Sequence, residues 1–259
     1  MSIQVLVATM NQKDHNLLNE MNIQSDAIIA NQCERNEIEE LIFKGNHIKY
    51  LSFAERGVGL NRNNALMRAH ADICILADDD MVFHDGYVKM IKKCFIENPH
   101  TDVIIFNIIE NPKKRYVIEK KFKVGYHNYM RFGAARIAFR RKSITKCGIT
   151  FNLHFGGGAE FSAGEDTLFL HDCLKNKLNI LAVPEAISTL PNYRESSWFQ
   201  GYTDKYFIDR GALFASITKR NAWLLCLQFA IRHRKMFKEA KNWYEAYNLM
   251  IKGIKEIKG

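Results

Sequence analysis

The first 110 residues alternate between short apolar runs and helical patterns, and this alternation limits the fold more than any other feature. Five runs have the length and composition of buried strands: 3–9, 26–32, 47–53, 72–77 and 102–109. Helical patterns occur between them, at 60–71 and 85–99. Strands that alternate with helices are typical of a mostly parallel sheet with helices on both faces. The sequence therefore predicts an α/β protein.

Polar side chains gather at the ends of three of these runs: Thr9 and Asn11, then Asn31, then Asp78, Asp79 and Asp80. Ligands in open α/β sheets bind beyond the carboxyl ends of the strands, so these residues predict a shared cleft. The aspartates have two interpretations. An acidic, solvated turn is one. Behind a buried strand, however, adjacent carboxylates repel each other, and a bound Mg²⁺ or Mn²⁺ would offset that repulsion.

The stretch from Glu55 to Phe83 resembles the central signature of family 2 glycosyltransferases of the GT-A fold. Gly57 and Gly59 match a glycine-containing loop, and Arg62 begins an Arg-Asn pair on a helix. An apolar strand then runs into a D-x-D metal motif at 78–80. The resemblance implies a GT-A sheet that binds a nucleotide and is flanked by helices.

A second block, "SAGEDTLFLHDCLKNK", resembles the Glu-Asp motif of the same family. The resemblance implies that Asp166 is the catalytic base, with Glu165 beside it. Acids in the first turn of a helix also stabilise the helix dipole, which is the alternative that needs no catalysis. The glycines ahead of this block, Gly157 and Gly158, suit either a loop that closes over the acceptor or a tight turn. Trp198 suits either stacking on a sugar or packing.

The resemblance also implies which residues meet the donor, a nucleotide diphosphate sugar. The donor nucleotide would lie under the first strands, in contact with Thr9, Asn11, Asn31, Arg62, Asp78 and Asp79. Asp80 and Asp78 would hold the metal. The family usually places an aspartate pair where this chain has Asn31, so the nucleobase is left open, with a UDP-sugar favoured because an amide can pair with a pyrimidine imide.

Positive charge is concentrated near the C-terminus. Residues 219–259 contain ten Lys and Arg against three acids, which accounts for +7 of the net charge of +9. We predict a glycosyltransferase domain over 1–218 and a basic helical extension over 219–259, with one apolar stripe from Met236 to Ile257. Two interpretations of the extension are open. It binds an anionic membrane surface through its basic and apolar side chains, or its apolar stripe packs on the glycosyltransferase domain. The nearly neutral body argues against nucleic acid as a partner.

Cysteine usage and the apolar segments bear on the compartment. The six cysteines form no C-x-x-C pair, which indicates reduced, buried thiols rather than a zinc site. No signal-peptide pattern is present, and the longest apolar stretch, Ala222–Ile231, is about half of a membrane span. These features predict a cytoplasmic protein, with peripheral attachment to the inner face of the cell membrane as an open alternative.

The resulting hypothesis is an inverting, metal-dependent glycosyltransferase, with a hexose as the expected sugar. Its acceptor would be a hydroxyl of a glycan or of a lipid-linked molecule in surface polysaccharide synthesis. A nucleotidyltransferase is one alternative, although "ATMNQKDHN" lacks the glycines of a phosphate loop. A non-catalytic sugar- or nucleotide-binding partner in a glycan-assembly complex is another.

Overall fold

A computed structural model of the protein describes residues 1–110, 115–191 and 201–257. The described residues form one ten-stranded sheet with helices on both faces. The strands are β1 (Ile3–Met10), β2 (Asp26–Gln32), β3 (Glu37–Phe43), β4 (Asn46–Phe53), β5 (Ile73–Asp78), β6 (Val82–Phe83), β7 (Val103–Glu110), β8 (Phe122–Val124), β9 (Ile137–Arg140) and β10 (Ile180–Leu190). Their order is β3-β4-β2-β1-β5-β9-β7-β10-β6, with β8 paired to β10.

The predicted α/β fold is confirmed, and the sheet also contains antiparallel strands. Strands β4, β2, β1 and β5 run parallel to one another, and β7 runs parallel to β10. Strand β9 is antiparallel to both β5 and β7, and so joins the two parallel parts. Strand β3 was not predicted. Its outer face is largely exposed, and it pairs with β4 as an antiparallel hairpin at the sheet edge.

Eight α-helices accompany the sheet within the described residues: α1 (Leu17–Glu20), α2 (Val58–Arg68), α3 (Tyr87–Glu97), α4 (Arg141–Lys146), α5 (Glu165–Lys175), α6 (Asp204–Ile217), α7 (Ala222–Arg232) and α8 (Trp243–Glu256). Helices α1 and α3 cover one face, where their apolar residues meet Val5 and Val7 of β1. Helices α2, α4 and α5 cover the other face, around Leu6 of the same strand. Burial on both faces explains why the central strands are continuous apolar runs.

The last three helices form a separate apolar cluster around Phe207, Cys226 and Met250. The prediction of one continuous stripe was wrong in detail, because the chain bends over 233–242 and Met236 is exposed in that bend. Helices α6 and α8 cross at two glycines. A Cβ on Gly211 would lie 1.9 Å from the Met250 carbonyl oxygen, and one on Gly253 would lie 1.9 Å from that of Ile208.

The predicted domain boundary at residue 218 falls just after α6. Helix α6 packs on α7 and α8, and it also contacts Phe155, Phe161 and Leu168 through its own Leu213. The division into 1–218 and 219–259 stays a prediction. Among the described helices, none combines the length and the hydropathy that crossing a bilayer requires.

Candidate active site

The carboxyl ends of β1, β2 and β5 bring the predicted residues to one edge of the sheet. Thr9 is in register with Asn31 on β2, and Ala8 is in register with Asp78 on β5. Parallel pairing therefore places Thr9, Asn31 and the aspartate triplet side by side, as the sequence predicted.

The three aspartates have three different environments. Asp78 pairs with the Arg62 guanidinium, with 2.7 Å between Oδ1 and Nη2. Asp79 accepts a hydrogen bond from the Thr9 hydroxyl at 2.6 Å. Burial raises the pKa of Asp80, the charges of Asp78 and Asp79 raise it further, and Arg115 offsets part of the effect. Neighbouring side chains thus stabilise all three positions: Asp78 is fully paired, and Asp80 is stabilised only in part.

Arg62 joins the triplet to the Glu-Asp motif. Helix α2 lies against the sheet, and the Arg62 side chain is only 6% exposed. Its Nη2 bonds to Asp78 and its Nη1 bonds to Glu165, both at 2.7 Å. Burial lowers the pKa of Arg62, but the charges of Asp78 and Glu165 raise it by more, so the guanidinium stays charged. The predicted contact between Arg62 and the donor stays a prediction, because here the guanidinium orients two carboxylates.

Asp166 lies at the start of α5, next to Glu165, and its Oδ1 accepts a hydrogen bond from the backbone N–H of Thr167 at 2.6 Å. Burial raises the pKa of Asp166 to about 7, and the charge of Glu165 adds to that rise while Arg62 opposes it. An ordinary aspartate would be fully ionised at neutral pH. Asp166 is instead held near the pH at which a carboxylate can gain or lose a proton, which suits a general base.

The glycine loop packs against the start of α2. The N–H of Val58 donates to the carbonyl of Gly157 at 2.8 Å, and a Cβ on Gly158 would lie 3.0 Å from the Gly57 nitrogen. At Gly156, where φ is +103°, a Cβ would lie 2.5 Å from Val58 and 2.8 Å from Glu165. This close approach favours the tight-turn interpretation. An acceptor contact by Gly157 or Gly158 stays a prediction.

Two predicted donor contacts have different surroundings from those expected. Asn31 is fully buried, and its amide pairs with the backbone N–H and C=O of Gln12 and with the Ser52 hydroxyl. These bonds hold the chain after β1 in place, and a contact of Asn31 with the nucleobase stays a prediction. Asn11 is exposed, with a φ of 57° that asparagine tolerates better than most residues. Trp198 lies outside the described residues.

The chemistry of the triplet fits a divalent cation. Mg²⁺ and Mn²⁺ commonly bind through one or two carboxylates together with substrate phosphates. Asp78 and Asp80 can supply those two carboxylates. Within the described ranges, no group of three or more His, Cys, Asp or Glu side chains could hold a metal unaided. A metal held by these two carboxylates would need further ligands, such as the phosphates of a substrate.

Sequence comparison places this site in a known family. The sequence profile of glycosyl transferase family 2 matches residues 16–161, which is more than half of the chain. The chain belongs to glycosyl transferase family 2. The match includes Arg62 and the aspartate triplet and ends before Glu165 and Asp166. A comparison with curated proteins finds no match.

Solved structures show that this family 2 glycosyltransferase has the GT-A fold. S. aureus TarS, residues 1–349, in complex with UDP-GlcNAc aligns over 98% of this chain and 82% of its own, with a TM-score of 0.68 and 17% identity. The same protein in complex with UDP aligns over 99% and 82%, with a TM-score of 0.65 and 16% identity. At these identities the likeness establishes the fold, and the prediction of a GT-A glycosyltransferase is confirmed.

Sequence reasoning missed one part of the site. A cavity of about 200 Å³ lies between the start of α5 and one face of α6, and Asp166, Tyr206 and Arg210 help to line it. Tyr206 and Arg210 are four residues apart, a spacing that places them on the same side of a helix. That spacing could have shown from the sequence that the two side chains lie together. Only the packing of α6 against α5 shows that they lie beside Asp166.

Proposed function

We propose that this glycosyltransferase moves a sugar from a nucleotide diphosphate sugar to an acceptor hydroxyl, with inversion at the anomeric carbon and with the help of a divalent metal. The proposal is supported by the Arg62 bridge, which connects Asp78 to Glu165 and so links the aspartate triplet to the residue next to Asp166. A UDP-sugar is the favoured donor, because the TarS structures of the same fold contain UDP-GlcNAc and UDP.

Asp166 is the proposed catalytic base. Its unprotonated carboxylate accepts the proton of the acceptor hydroxyl while that oxygen attacks the anomeric carbon. The sugar-to-phosphate bond breaks on the opposite face, so the anomeric configuration inverts. Glu165 does not face the acceptor in this scheme, because Arg62 binds it in a buried position. We therefore assign Glu165 to positioning the start of α5, and we assign proton transfer to Asp166.

Negative charge develops on the leaving diphosphate and must be stabilised. Asp78 and Asp80 are the residues that would hold Mg²⁺ or Mn²⁺, which supplies Lewis-acid stabilisation of that charge when bound. Asp79 and Thr9 bond to each other, and we propose that this pair shapes the edge of the nucleotide site. Asn11, exposed beside them, is a candidate contact for the nucleoside.

Donor choice and metal dependence can be tested together. We would measure nucleotide diphosphate release from UDP-, GDP- and dTDP-sugars in Mn²⁺, Mg²⁺ or EDTA. We expect release from one donor, loss of release in EDTA, and a rate reduced about 10- to 1,000-fold in Asp80→Asn. Asp85→Asn is the matched control, since Asp85 is exposed and bonds to Asn22 and Gln24. Equal rates with metal and EDTA would contradict metal dependence.

The same assay separates the alternatives. A nucleotidyltransferase would release pyrophosphate from a nucleoside triphosphate. A non-catalytic binding partner would bind a sugar nucleotide without releasing the diphosphate, even when candidate acceptors are added.

The C-terminal helices support a membrane-associated acceptor. Three apolar side chains of α7 are exposed, namely Trp223 (48%), Leu224 (45%) and Ile231 (44%). Residues 219–238 around them contain six Lys and Arg and no acid. An exposed apolar face with basic neighbours suits an anionic bilayer surface. We propose that this face of α7 rests on the cell membrane, where the enzyme would use a glycan or lipid-linked acceptor in surface polysaccharide synthesis.

Vesicle flotation tests this surface. We expect the protein to float with vesicles of phosphatidylcholine plus phosphatidylglycerol, but not with phosphatidylcholine alone. Replacing Arg234 and Lys235 by glutamine should weaken binding about 30-fold, at roughly 1 kcal/mol for each charge near the surface. The pair Lys89→Gln and Lys93→Gln on α3 removes the same charge from another exposed surface and serves as the control. The proposal would be refuted if the affinity for vesicles were the same with and without anionic lipid and were unchanged by the Arg234 and Lys235 substitutions.

A further inference from the structure

The cavity between α5 and α6 has polar lining residues, besides Asp166, that the proposed chemistry does not yet use. Asp166 and Thr167 contribute from α5, and Tyr206, Asp209 and Arg210 contribute from α6. Its volume of about 200 Å³ is below the roughly 300–1,000 Å³ of pockets that enclose a whole drug-sized ligand. The cavity therefore accommodates one small unit of a substrate. Because Asp166 forms part of the lining, a hydroxyl bound there lies beside the proposed base.

The negative charge of Asp209 is compensated within the protein. One carboxylate oxygen accepts hydrogen bonds from the backbone N–H and the hydroxyl of Ser162, at 2.9 and 2.5 Å. The other bonds to the Lys205 ammonium at 2.9 Å. Asp209 is buried, so these bonds fix α6 to the loop before α5. A ligand in the cavity would not need to neutralise this carboxylate.

Arg210 is held in place by aromatic rings rather than by an acid. Its guanidinium carbon lies 5.4 Å from the centre of the Tyr206 ring and 5.2 Å from that of Phe229. Its Nη2 donates to the Tyr206 hydroxyl at 3.2 Å. Among the described residues, no carboxylate forms an ion pair with Arg210. A guanidinium has five N–H donors, and two ring contacts leave its edge available to an anion.

We propose that this cavity is the acceptor subsite, and that it selects an acceptor carrying an anionic group, a phosphate or a carboxylate, which Arg210 binds while the attacking hydroxyl lies at Asp166. This inference rests on the proposed function and adds the chemical class of the acceptor. A planar guanidinium binds phosphate and carboxylate through two parallel hydrogen bonds, which a neutral hydroxyl cannot match. The positive charge of Arg210 also offsets the repulsion between the acceptor anion and Asp166.

Binding of small acceptor fragments tests the subsite directly. We would measure the affinity of glucose 6-phosphate, glucuronate and glucose by calorimetry in the presence of UDP and Mg²⁺. The wild type should bind at least one anionic sugar about 10- to 100-fold more tightly than glucose, and comparison of the two anionic sugars identifies phosphate or carboxylate as the preferred group. Arg210→Gln should remove this preference, and Arg210→Lys should retain part of it because a point charge remains.

Controls separate this inference from the proposed function. Arg232→Gln removes an exposed arginine of α7 and should leave the preference unchanged. Acceptor-independent release of UDP from the donor is measured in Arg210→Gln and in wild type as a check on the donor site, and unfolding curves of both verify the fold. A wild type that binds all three sugars equally, or a preference that survives Arg210→Gln, would overturn the subsite. Absence of UDP release in every variant would instead count against the proposed function, while the calorimetry would still decide the subsite.

Discussion

Replacing Asp166 by asparagine is expected to lower the rate of sugar transfer about 10²- to 10⁴-fold, the usual contribution of a general base. An amide has nearly the same shape as the carboxylate but cannot accept the proton of the acceptor hydroxyl. Donor binding should be unchanged, because the Arg62 bonds to Asp78 and Glu165 do not involve Asp166. Asp172→Asn, on the same helix and away from the cavity lining, is the matched control. Equal transfer rates in Asp166→Asn and wild type would remove Asp166 from the mechanism.

The stability of the same variant gives an independent readout. Burial raises the pKa of Asp166 from an ordinary value of 3.8 to about 7, so the folded protein favours the protonated form. The stability that this group contributes is complete below about pH 4 and is lost as the pH rises through 7. At pH 8, Asp166→Asn should therefore unfold at the same temperature as the wild type or at a higher one. Loss of activity without loss of stability indicates a catalytic role.

The pH profile of the wild type should reflect the same carboxyl group. Transfer needs the unprotonated form, so kcat should fall as the pH decreases below about 7. Arg62 and Glu165, and Asp209 and Arg210 across the cavity, are the charged groups that surround this carboxyl. A profile that is flat between pH 5 and 8, a range chosen to span the pKa of Asp166, would contradict the assignment.

Replacing Arg62 by methionine is expected to lower the free energy of unfolding by about 3–5 kcal/mol, the usual cost of breaking a buried ion pair from one side. Most of this loss comes from Glu165, because its side chain is only 12% exposed and its charge would be left buried without a partner. Asp78 contributes less, because its side chain is 44% exposed and water screens its charge. Activity should fall as well, since nothing else among the described contacts connects the aspartate triplet to α5 through a shared side chain.

Chemical denaturation of a double-mutant cycle measures this effect. Arg62→Met with Glu165→Met should recover part of the stability, because two apolar side chains replace two buried charges. Arg68→Gln is the control, since Arg68 lies on the same helix but is exposed. Two results would show that the ion pair contributes little to stability. One is a free energy of unfolding that falls no more in Arg62→Met than in Arg68→Gln. The other is a fall in the double variant that equals the sum of the falls in the two single variants.

The sequence predicted the sheet and the cleft because both depend on local patterns. Apolar runs such as Ile73–Asp78 are recognisable wherever a strand is buried on both faces, and parallel strands bring their ends together without further information. The bond between Arg62 and Glu165 connects residues that are 103 positions apart, and no local pattern reports such a contact. The pKa of Asp166 depends on burial, and so only the folded structure gives its direction.

The predicted contact of Asn31 with the nucleobase stays a prediction, and no local pattern could show how its amide is bonded in the folded chain. Its position at a strand end suggested a contact with the nucleobase, and in the structure its amide forms hydrogen bonds with Gln12 and Ser52.

The bend before α8 had a signal in the sequence, but the apolar stripe concealed it. Asn242 and Glu245 form a capping box, which marks the start of a new helix. Periodicity alone extended the helix backwards because Met236 happens to fit the stripe.

The glycine crossing of α6 and α8 has a mechanical consequence. With the backbones in direct contact at Gly211 and Gly253, neither helix can slide or rotate against the other without a steric clash. We therefore expect the two helices to move as a single body. The wall of the proposed acceptor cavity that α6 provides would then keep a fixed orientation relative to α8. A displacement of α8 would therefore also displace Tyr206 and Arg210.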